Sequence, residues 1–137
     1  FMSWKAYVDA VVKTGDAEHV VIAGHDGVEW AKTPETSLKP SQLSALAKAL
    51  TDQTVETVNF QEQEYFVMKR GEAFYGNQQR VSPLEMCFLF AKLGRCGLVV
   101  WGTKKAILVG TFNEKQAAGY CSKSVWAVAQ YLCEQGY

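Results

Sequence analysis

The sequence has few of the residues, and none of the spacings, that metal sites need. It contains two histidines, His19 and His25, and four cysteines without a C-x-x-C pair. Because structural zinc ligands come in close pairs, we expect no metal site and no cofactor. Cys87 and Cys133 stand in apolar surroundings, where a thiol usually serves as a small buried hydrophobe. Four scattered thiols favour a reduced, cytoplasmic protein.

The sequence also lacks net charge, membrane spans and a targeting signal. Fourteen Lys and Arg balance fourteen Asp and Glu. Because nucleic-acid recognition needs a strongly basic face, we expect no nucleic-acid partner. No apolar run reaches the ~20 residues that a bilayer span requires, and no basic stretch leads into an apolar one as in a secretory signal. The 137 residues are enough for one domain with one core.

Catalytic motifs are missing as well. There is no G-x-S-x-G, no glycine-rich phosphate loop and no H-E-x-x-H. The pair His25-Asp26 falls in a predicted tight turn, where Asp is favoured for its backbone hydrogen bonding. The sequence therefore favours a binding protein over an enzyme.

Aromatic residues are plentiful and crowd the two ends of the chain. Trp4 and Tyr7 stand near the start, and Trp126, Tyr131 and Tyr137 near the end. Chain ends are usually polar and frayed, whereas aromatics either bury a large area or grip a partner. Composition alone leaves both interpretations open.

Hydrophobic periodicity predicts the order helix, hairpin, helix, several short strands, helix. The first helix begins after the N-cap Ser3 and ends at Gly15, the hairpin turns at Asp26-Gly27, and the second helix begins at Pro40. Strands are predicted at 55–60, 65–69, 73–76, 98–101 and 106–112, and a last helix from 117. This order predicts an α+β fold, an α/β sandwich in which helices pack on an antiparallel sheet.

A further helix is predicted over residues 82–95. Ser82 is a cap, Pro83 suits the first turn, Glu85 completes an S-x-x-E capping box, and Gly94 ends the helix. The body, LEMCFLFAKL, is apolar nearly all round. Such a helix is buried on several sides or exposes an apolar face that a partner covers.

Four stretches of the sequence resemble one family. They are MSWKAYVD at 2–9, IAGHDGVEWA at 22–31, LKP at 38–40 and YLCEQGY at 131–137. Together they resemble profilin over the whole chain, in a divergent, protist-type form. The resemblance implies one profilin domain over 2–137, with 82–95 as a helical insertion, and a central antiparallel sheet with both terminal helices on one face. It also implies a cytoplasmic, cytoskeletal protein, not an enzyme, that binds monomeric actin, proline-rich proteins such as formins, and phosphoinositides.

The resemblance places a polyproline groove at the two chain ends and the hairpin. The matching positions are Trp4, Tyr7, Trp30, Tyr131, Leu132 and Tyr137. A polyproline II ligand is already extended and loses little entropy on binding, and Trp and Tyr offer flat faces with N–H and O–H donors. Trp126 matches no groove position, so packing or another partner surface is expected there.

The resemblance also implies an actin-binding face. By register it falls on Val55, Val67, Lys69, Gly119, Ser122 and Lys123. Residues 75–79 replace a basic pair common in the family, so some salt bridges with actin are expected to be missing. We expect Phe88 and Phe90 of the inserted helix to contact or gate actin in their place. The alternative is that this helix folds back and thickens the core.

Two weaker expectations complete the set. Basic residues that could hold a phosphoinositide are Lys69, Arg70, Arg80, Lys104 and Lys105. Each contributes ~1 kcal/mol near an anionic surface, so binding is expected to be weak. An alternative function is a sensor-type, PAS-like α/β domain that holds a small ligand among Phe66, Phe88 and Phe112.

Overall fold

The computed structural model describes residues 3–73 and 80–137. The elements are α1 (Trp4–Lys13), β1 (His19–Gly24), β2 (Glu29–Lys32), α2 (Pro40–Ala49), β3 (Thr57–Phe60), β4 (Gln63–Glu72), β5 (Cys87–Leu93), β6 (Cys96–Gly102), β7 (Ala106–Phe112) and α3 (Ala118–Glu134). The seven strands form one sheet in the order β2-β1-β7-β6-β5-β4-β3, and each neighbouring pair is antiparallel. The predicted α+β class is confirmed.

Local sequence signals explain the first half of the chain. Ser3 Oγ accepts a hydrogen bond from the Ala6 N–H at 3.2 Å, which caps α1 as predicted. Gly27 has φ +89°, and a Cβ there would lie 2.2 Å from the carbonyl oxygen of Pro40. The β1–β2 turn therefore requires glycine, because it brings the hairpin directly against the start of α2.

Helices cover both faces of the sheet. α1 and α3 pack on one face, over side chains such as Ile22, Val99 and Leu108. α2 packs on the opposite face, over side chains such as Val21 and Ile107. Both faces of the central strands are therefore buried, and the two terminal helices share one face as the resemblance implied.

The helix predicted over residues 82–95 is wrong, because this segment contains strand β5, paired with both β4 and β6. Cys87, Leu89 and Ala91 face the α2 side, whereas Phe88 and Phe90 pack on the α1/α3 side. A strand buried on both faces is apolar at nearly every position, which is why the segment looked like an all-apolar helix. Residues 82–95, all of which the structure describes, thus contain no inserted helix that could gate actin or thicken the core.

The turn that precedes β5 contains hydrogen bonds of the predicted capping residues but does not continue into a helix. Glu85 Oε1 accepts from the Val81 N–H at 3.0 Å, and the Glu85 N–H donates to Ser82 O. Met86 then takes φ +57°, which ends the turn instead of continuing it as a helix. β4 runs on to Glu72, past the predicted end, and most of the strand predicted at 73–76 lies outside the described residues.

Among the described residues, no helix has both the length and the apolar character needed to cross a bilayer. Nor do these residues include three His, Cys, Asp or Glu side chains grouped closely enough to hold a metal ion.

Candidate functional site

Five aromatic rings from three regions of the chain meet beside the terminal helices. We call this set, Trp4, Tyr7, Trp30, Tyr131 and Tyr137, the aromatic cluster. The Trp4 ring centroid lies 4.6 Å from that of Trp30, 5.1 Å from that of Tyr137 and 6.2 Å from that of Tyr7. Tyr7 in turn lies 5.8 Å from Tyr131. Trp4 is therefore the centre of the cluster, which contains every aromatic position predicted for the groove.

Secondary structure and backbone hydrogen bonds position these rings. Trp4 is the first residue of α1, Trp30 lies on β2 and Tyr131 on α3. Gly136 has φ +90°, which turns the chain back after α3. The carbonyl oxygen of Tyr137 then accepts hydrogen bonds from the Lys105 N–H at 2.5 Å and from Thr103 Oγ1 at 2.7 Å. The β6–β7 turn thereby anchors the last ring of the cluster.

The predicted groove residues differ in exposure. Tyr131 is 37% exposed, and Trp4, Trp30 and Tyr137 are half-buried. Tyr7 is only 2% exposed and Leu132 is fully buried, so these two lie beneath the exposed rings and do not present a face to solvent. The part of the cluster that a ligand can reach is formed by Trp4, Trp30, Tyr131 and Tyr137.

Trp126 packs, half-buried, against the core on the α1/α3 face. Of the two alternatives left open for this residue, packing is the one that these contacts support.

A second surface combines the start of α3 with β4 and β5. Trp101 Nε1 donates to Ser122 Oγ at 3.2 Å, and the Trp101 ring lies 5.0 Å from that of Phe88. Lys69 Nζ lies 5.9 Å from the Phe88 ring centroid. The residues of this α3–β5 surface are Lys69, Phe88, Phe90, Gly119, Ser122 and Lys123. Its rings form an apolar area with Lys69 beside Phe88, and Lys123 is an exposed cation on α3.

Two residues predicted for the actin face do not belong to this surface. Val55 and Val67 pack against the core on the α2 side of the sheet. Val55 precedes β3, and the β-bulge between Val67 and Lys69 places these two β4 residues on different faces of the sheet. Val55 and Val67 therefore do not share a face of the sheet with Lys69.

Three exposed apolar side chains that the sequence reasoning did not assign to the actin face lie on the same elements. Phe66 and Met68 of β4 are 54% and 61% exposed, and Tyr120 of α3 is 65% exposed. Phe66 pairs with Lys92 of β5, and Lys92 lies two residues after Phe90, on the same face of β5 as Phe88 and Phe90. The signal that could have found Phe66 and Met68 is the run of large apolar residues in β4, a strand next to the edge of the sheet.

The five basic residues predicted for phosphoinositide do not converge. Arg70 donates from Nε to the Ala49 carbonyl oxygen at 2.6 Å and from Nη2 to that of Val55, on the α2 side. Arg80 lies 2.5 Å from the Glu72 carboxylate, and this hydrogen bond raises the Arg80 pKa. Lys104 and Lys105 lie in the β6–β7 turn. Both arginines are thus committed to other contacts.

The rings proposed for a sensor-type pocket do not enclose a common space. Phe66 is 54% exposed, and Phe112 is 4% exposed. Phe112 stacks on Phe90 with centroids 6.0 Å apart and an interplanar angle of 4°. One ring is thus open to solvent, whereas another fills the core.

Comparison with known proteins gives one consistent family. The family model described as Profilin matches residues 2–137. Profilin-2 of Acanthamoeba castellanii is 32% identical over 137 residues, covering 99% of this chain and 100% of that protein. The crystal structure of A. castellanii profilin II superposes with a TM-score of 0.82 at 31% identity, over 98% of this chain and 100% of the other.

Two more distant structures share the fold and contain partners. A LokiProfilin1 complex with rabbit actin has a TM-score of 0.70 at 16% identity, over 98% of both profilin chains. Mouse profilin IIa, bound to a double repeat from the FH1 domain of mDia1, has a TM-score of 0.71 at 16% identity, over 99% of this chain and 100% of that chain. At this level of identity the likeness concerns the fold alone.

Proposed function

The chain belongs to the profilin family, and from this premise we propose that it binds monomeric actin on one surface and proline-rich segments on another. The observation that carries the proposal is the aromatic cluster, in which rings distant in sequence meet around Trp4.

The exposed part of the aromatic cluster suits a polyproline II helix. Such a ligand has no internal hydrogen bonds and is already extended, so it loses little entropy on binding. Trp4, Trp30 and Tyr137 are held by one another, so few rotamers are lost when proline rings pack on them. Indole N–H and phenol O–H groups can donate to the ligand's carbonyl oxygens. Mouse profilin IIa with its bound FH1 repeats is a precedent for this kind of ligand.

The α3–β5 surface suits a protein partner such as actin. Its centre is apolar, with Phe88 and Phe90 supported by Trp101 and Phe112, whereas Lys69 and Lys123 are exposed. An apolar centre with a polar margin is typical of protein interfaces. Exposed Phe66, Met68 and Tyr120 enlarge this area. The LokiProfilin1 complex with rabbit actin is a precedent for actin binding by this fold.

The two surfaces lie at opposite ends of α3. Gly119 and Tyr131 are separated by about 18 Å at the helical rise of ~1.5 Å per residue. We therefore propose that the protein holds actin monomers, blocks their addition at one filament end, and delivers them to proline-rich elongation factors such as formins. We propose that it acts with the actin cytoskeleton in the cytoplasm, with binding and not catalysis as its role.

Retention on a poly-L-proline column and titration against labelled monomeric actin test the proposal. We expect binding in both experiments. A protein that passes through the column unretained, although folded, would refute the groove. A protein that is retained but does not bind actin would support the groove and refute the actin surface.

A further inference from the structure

The β6–β7 turn carries Lys104 and Lys105 to the border of the aromatic cluster. Lys105 donates its N–H to Tyr137 O at 2.5 Å, and Thr103 Oγ1 donates to the same oxygen at 2.7 Å. Lys105 Nζ lies 5.7 Å from the centroid of the Tyr137 ring. A ligand that lies on Tyr137 is therefore close to an ammonium group.

An open depression of about 450 Å³ lies where the cluster ends. Trp30, a member of the aromatic cluster, also lines this depression, together with Val28, Lys104, Lys105 and residues 24–26 of the β1–β2 turn. Val28 is 55% exposed. Apolar surface and two ammonium groups thus stand side by side, in continuity with the proposed groove.

The side chains that line the depression include two lysines and one aspartate. Lys104 and Lys105 form no ion pair with any residue in the described ranges 3–73 and 80–137. Asp26 opposes them, and its Oδ1 accepts the Val28 N–H at 3.1 Å within the turn. His25 Nε2 lies 3.0 Å from the carbonyl oxygens of Thr103 and Ala106, so it faces the turn backbone. Among the side chains that line the depression, positive charges therefore outnumber negative ones.

We propose that this depression binds an acidic side chain of the proline-rich ligand, next to the prolines that lie on the aromatic cluster. The inference rests on the proposed polyproline binding. The methylene groups of a glutamate would pack on Val28 and Trp30, and its carboxylate would face the lysine ammonium groups. Exposed ion pairs contribute little affinity, but complementary charge selects among similar partners. The depression therefore determines which proline-rich segments are preferred.

Three peptides test the inference: deca-proline, the same peptide preceded by glutamate, and the same peptide followed by glutamate. Binding is followed by tryptophan fluorescence. We expect one acidic peptide to bind about threefold more tightly than deca-proline at low salt, as one or two exposed ion pairs would give. This ratio should fall towards one at about 0.5 M salt, where the Debye length is below ~5 Å. The preferred end also shows the direction in which the peptide runs.

A double variant, K104Q/K105Q, locates the effect. We expect its ratio of acidic to neutral affinity to be close to one. Loss of the contact between Lys105 and Tyr137 could change the affinity for every peptide. This change cancels in the ratio of two affinities measured on the same variant. The control is K48Q/K92Q, which also removes two lysine charges, at exposed positions of α2 and β5 outside the depression, and should keep the wild-type ratio.

Failure of this inference can be distinguished from failure of the proposed function. Deca-proline that binds as well as both acidic peptides overturns the depression's role and leaves the groove standing. A protein that binds none of the three peptides overturns both. A ratio that survives in K104Q/K105Q also contradicts the inference. The inference is also contradicted if K104Q/K105Q loses binding to phosphatidylcholine vesicles that contain a phosphoinositide but keeps the wild-type peptide ratio. The depression would then be a lipid site.

Discussion

At the scale of single residues, Trp4 has the central position in the proposed groove, since its ring contacts those of Trp30, Tyr137 and Tyr7. Replacing Trp4 with alanine would remove one ring face that contacts the ligand and would give the neighbouring rings more freedom to move. We expect Trp4→Ala to lose about 2 kcal/mol of deca-proline affinity, roughly 30-fold, as central aromatic anchors do. Calorimetric titration measures this loss.

The matched control is Tyr120→Ala, because Tyr120 is 65% exposed at the other end of α3. We expect this variant to keep its deca-proline affinity and to bind actin more weakly, whereas Trp4→Ala should bind actin like the wild type. If Trp4→Ala lost both activities together with its melting transition, Trp4 would be a structural residue and not a ligand contact.

A second prediction at this scale concerns backbone strain. The β3–β4 turn has Gln61 at φ +51° and Glu62 at φ +64°, where non-glycine residues are disfavoured by about 1–2 kcal/mol. Gln61 Oε1 accepts a hydrogen bond from the Ser37 N–H at 3.3 Å, which a substitution of Gln61 would remove. The glycine substitution is therefore best made at Glu62. We expect Glu62→Gly to raise the free energy of unfolding by about 1 kcal/mol in urea denaturation.

Glu64→Gly is the control for this turn, since Glu64 is exposed within strand β4. Glycine there costs about 0.5–1 kcal/mol, because it adds conformational freedom to the unfolded chain without relieving strain. Destabilisation by both substitutions would show that the turn is not strained.

Cysteine reactivity gives a third prediction. Burial raises the pKa of the Cys121 thiol to about 12, so this thiol stays protonated in the folded protein up to a pH well above its ordinary value of 9.0. Since the thiolate is the nucleophile, Cys121 should resist iodoacetamide at pH 8, whereas half-buried Cys96 should be alkylated first. Peptide mass spectrometry of a time course measures the order. Equal rates in the folded protein would contradict the burial of Cys121.

At the scale of elements, β5 shows where local sequence and tertiary context disagree. A capping motif and an apolar run favoured a helix over residues 82–95, but pairing with β4 and β6 on both sides outweighs such local preferences. The two-residue link Gly94-Arg95, in which Gly94 has φ +61°, was the available sign of a hairpin. In contrast, α1 and the β1–β2 hairpin formed as predicted, because their local signals agree with the tertiary packing.

This reassignment predicts a large effect on stability. Leu89 is fully buried in a strand with neighbours on both sides. We expect Leu89→Ala to lower the free energy of unfolding by about 2–5 kcal/mol, through lost burial and the cavity it leaves. Lys92→Ala, an exposed position on the same strand, should change it by less than ~0.5 kcal/mol. Similar small effects for both would mean that β5 is not a central strand.

At the scale of the whole molecule, long-range geometry was the part that residue patterns could not supply. Periodicity predicted the elements other than β5, and the stretches at the chain ends led to the family, which implied that both terminal helices share one face. Neither showed that Tyr7 and Leu132 lie beneath the exposed rings, or that Val55 and Val67 face the α2 side. Those facts depend on the β4 bulge and on how α1 and α3 pack, which are tertiary features.

The account's central claim is that α3 joins two separate binding surfaces, so that one molecule engages a proline-rich segment and an actin monomer at once. The most direct test is to titrate deca-proline into a preformed complex of the protein with labelled monomeric actin, following tryptophan fluorescence and the sedimentation of the labelled actin together. We predict that deca-proline binds the complex with the affinity it has for the free protein, and that actin stays bound at saturation. Release of actin as deca-proline binds, or the absence of deca-proline binding to the folded protein, would contradict the claim.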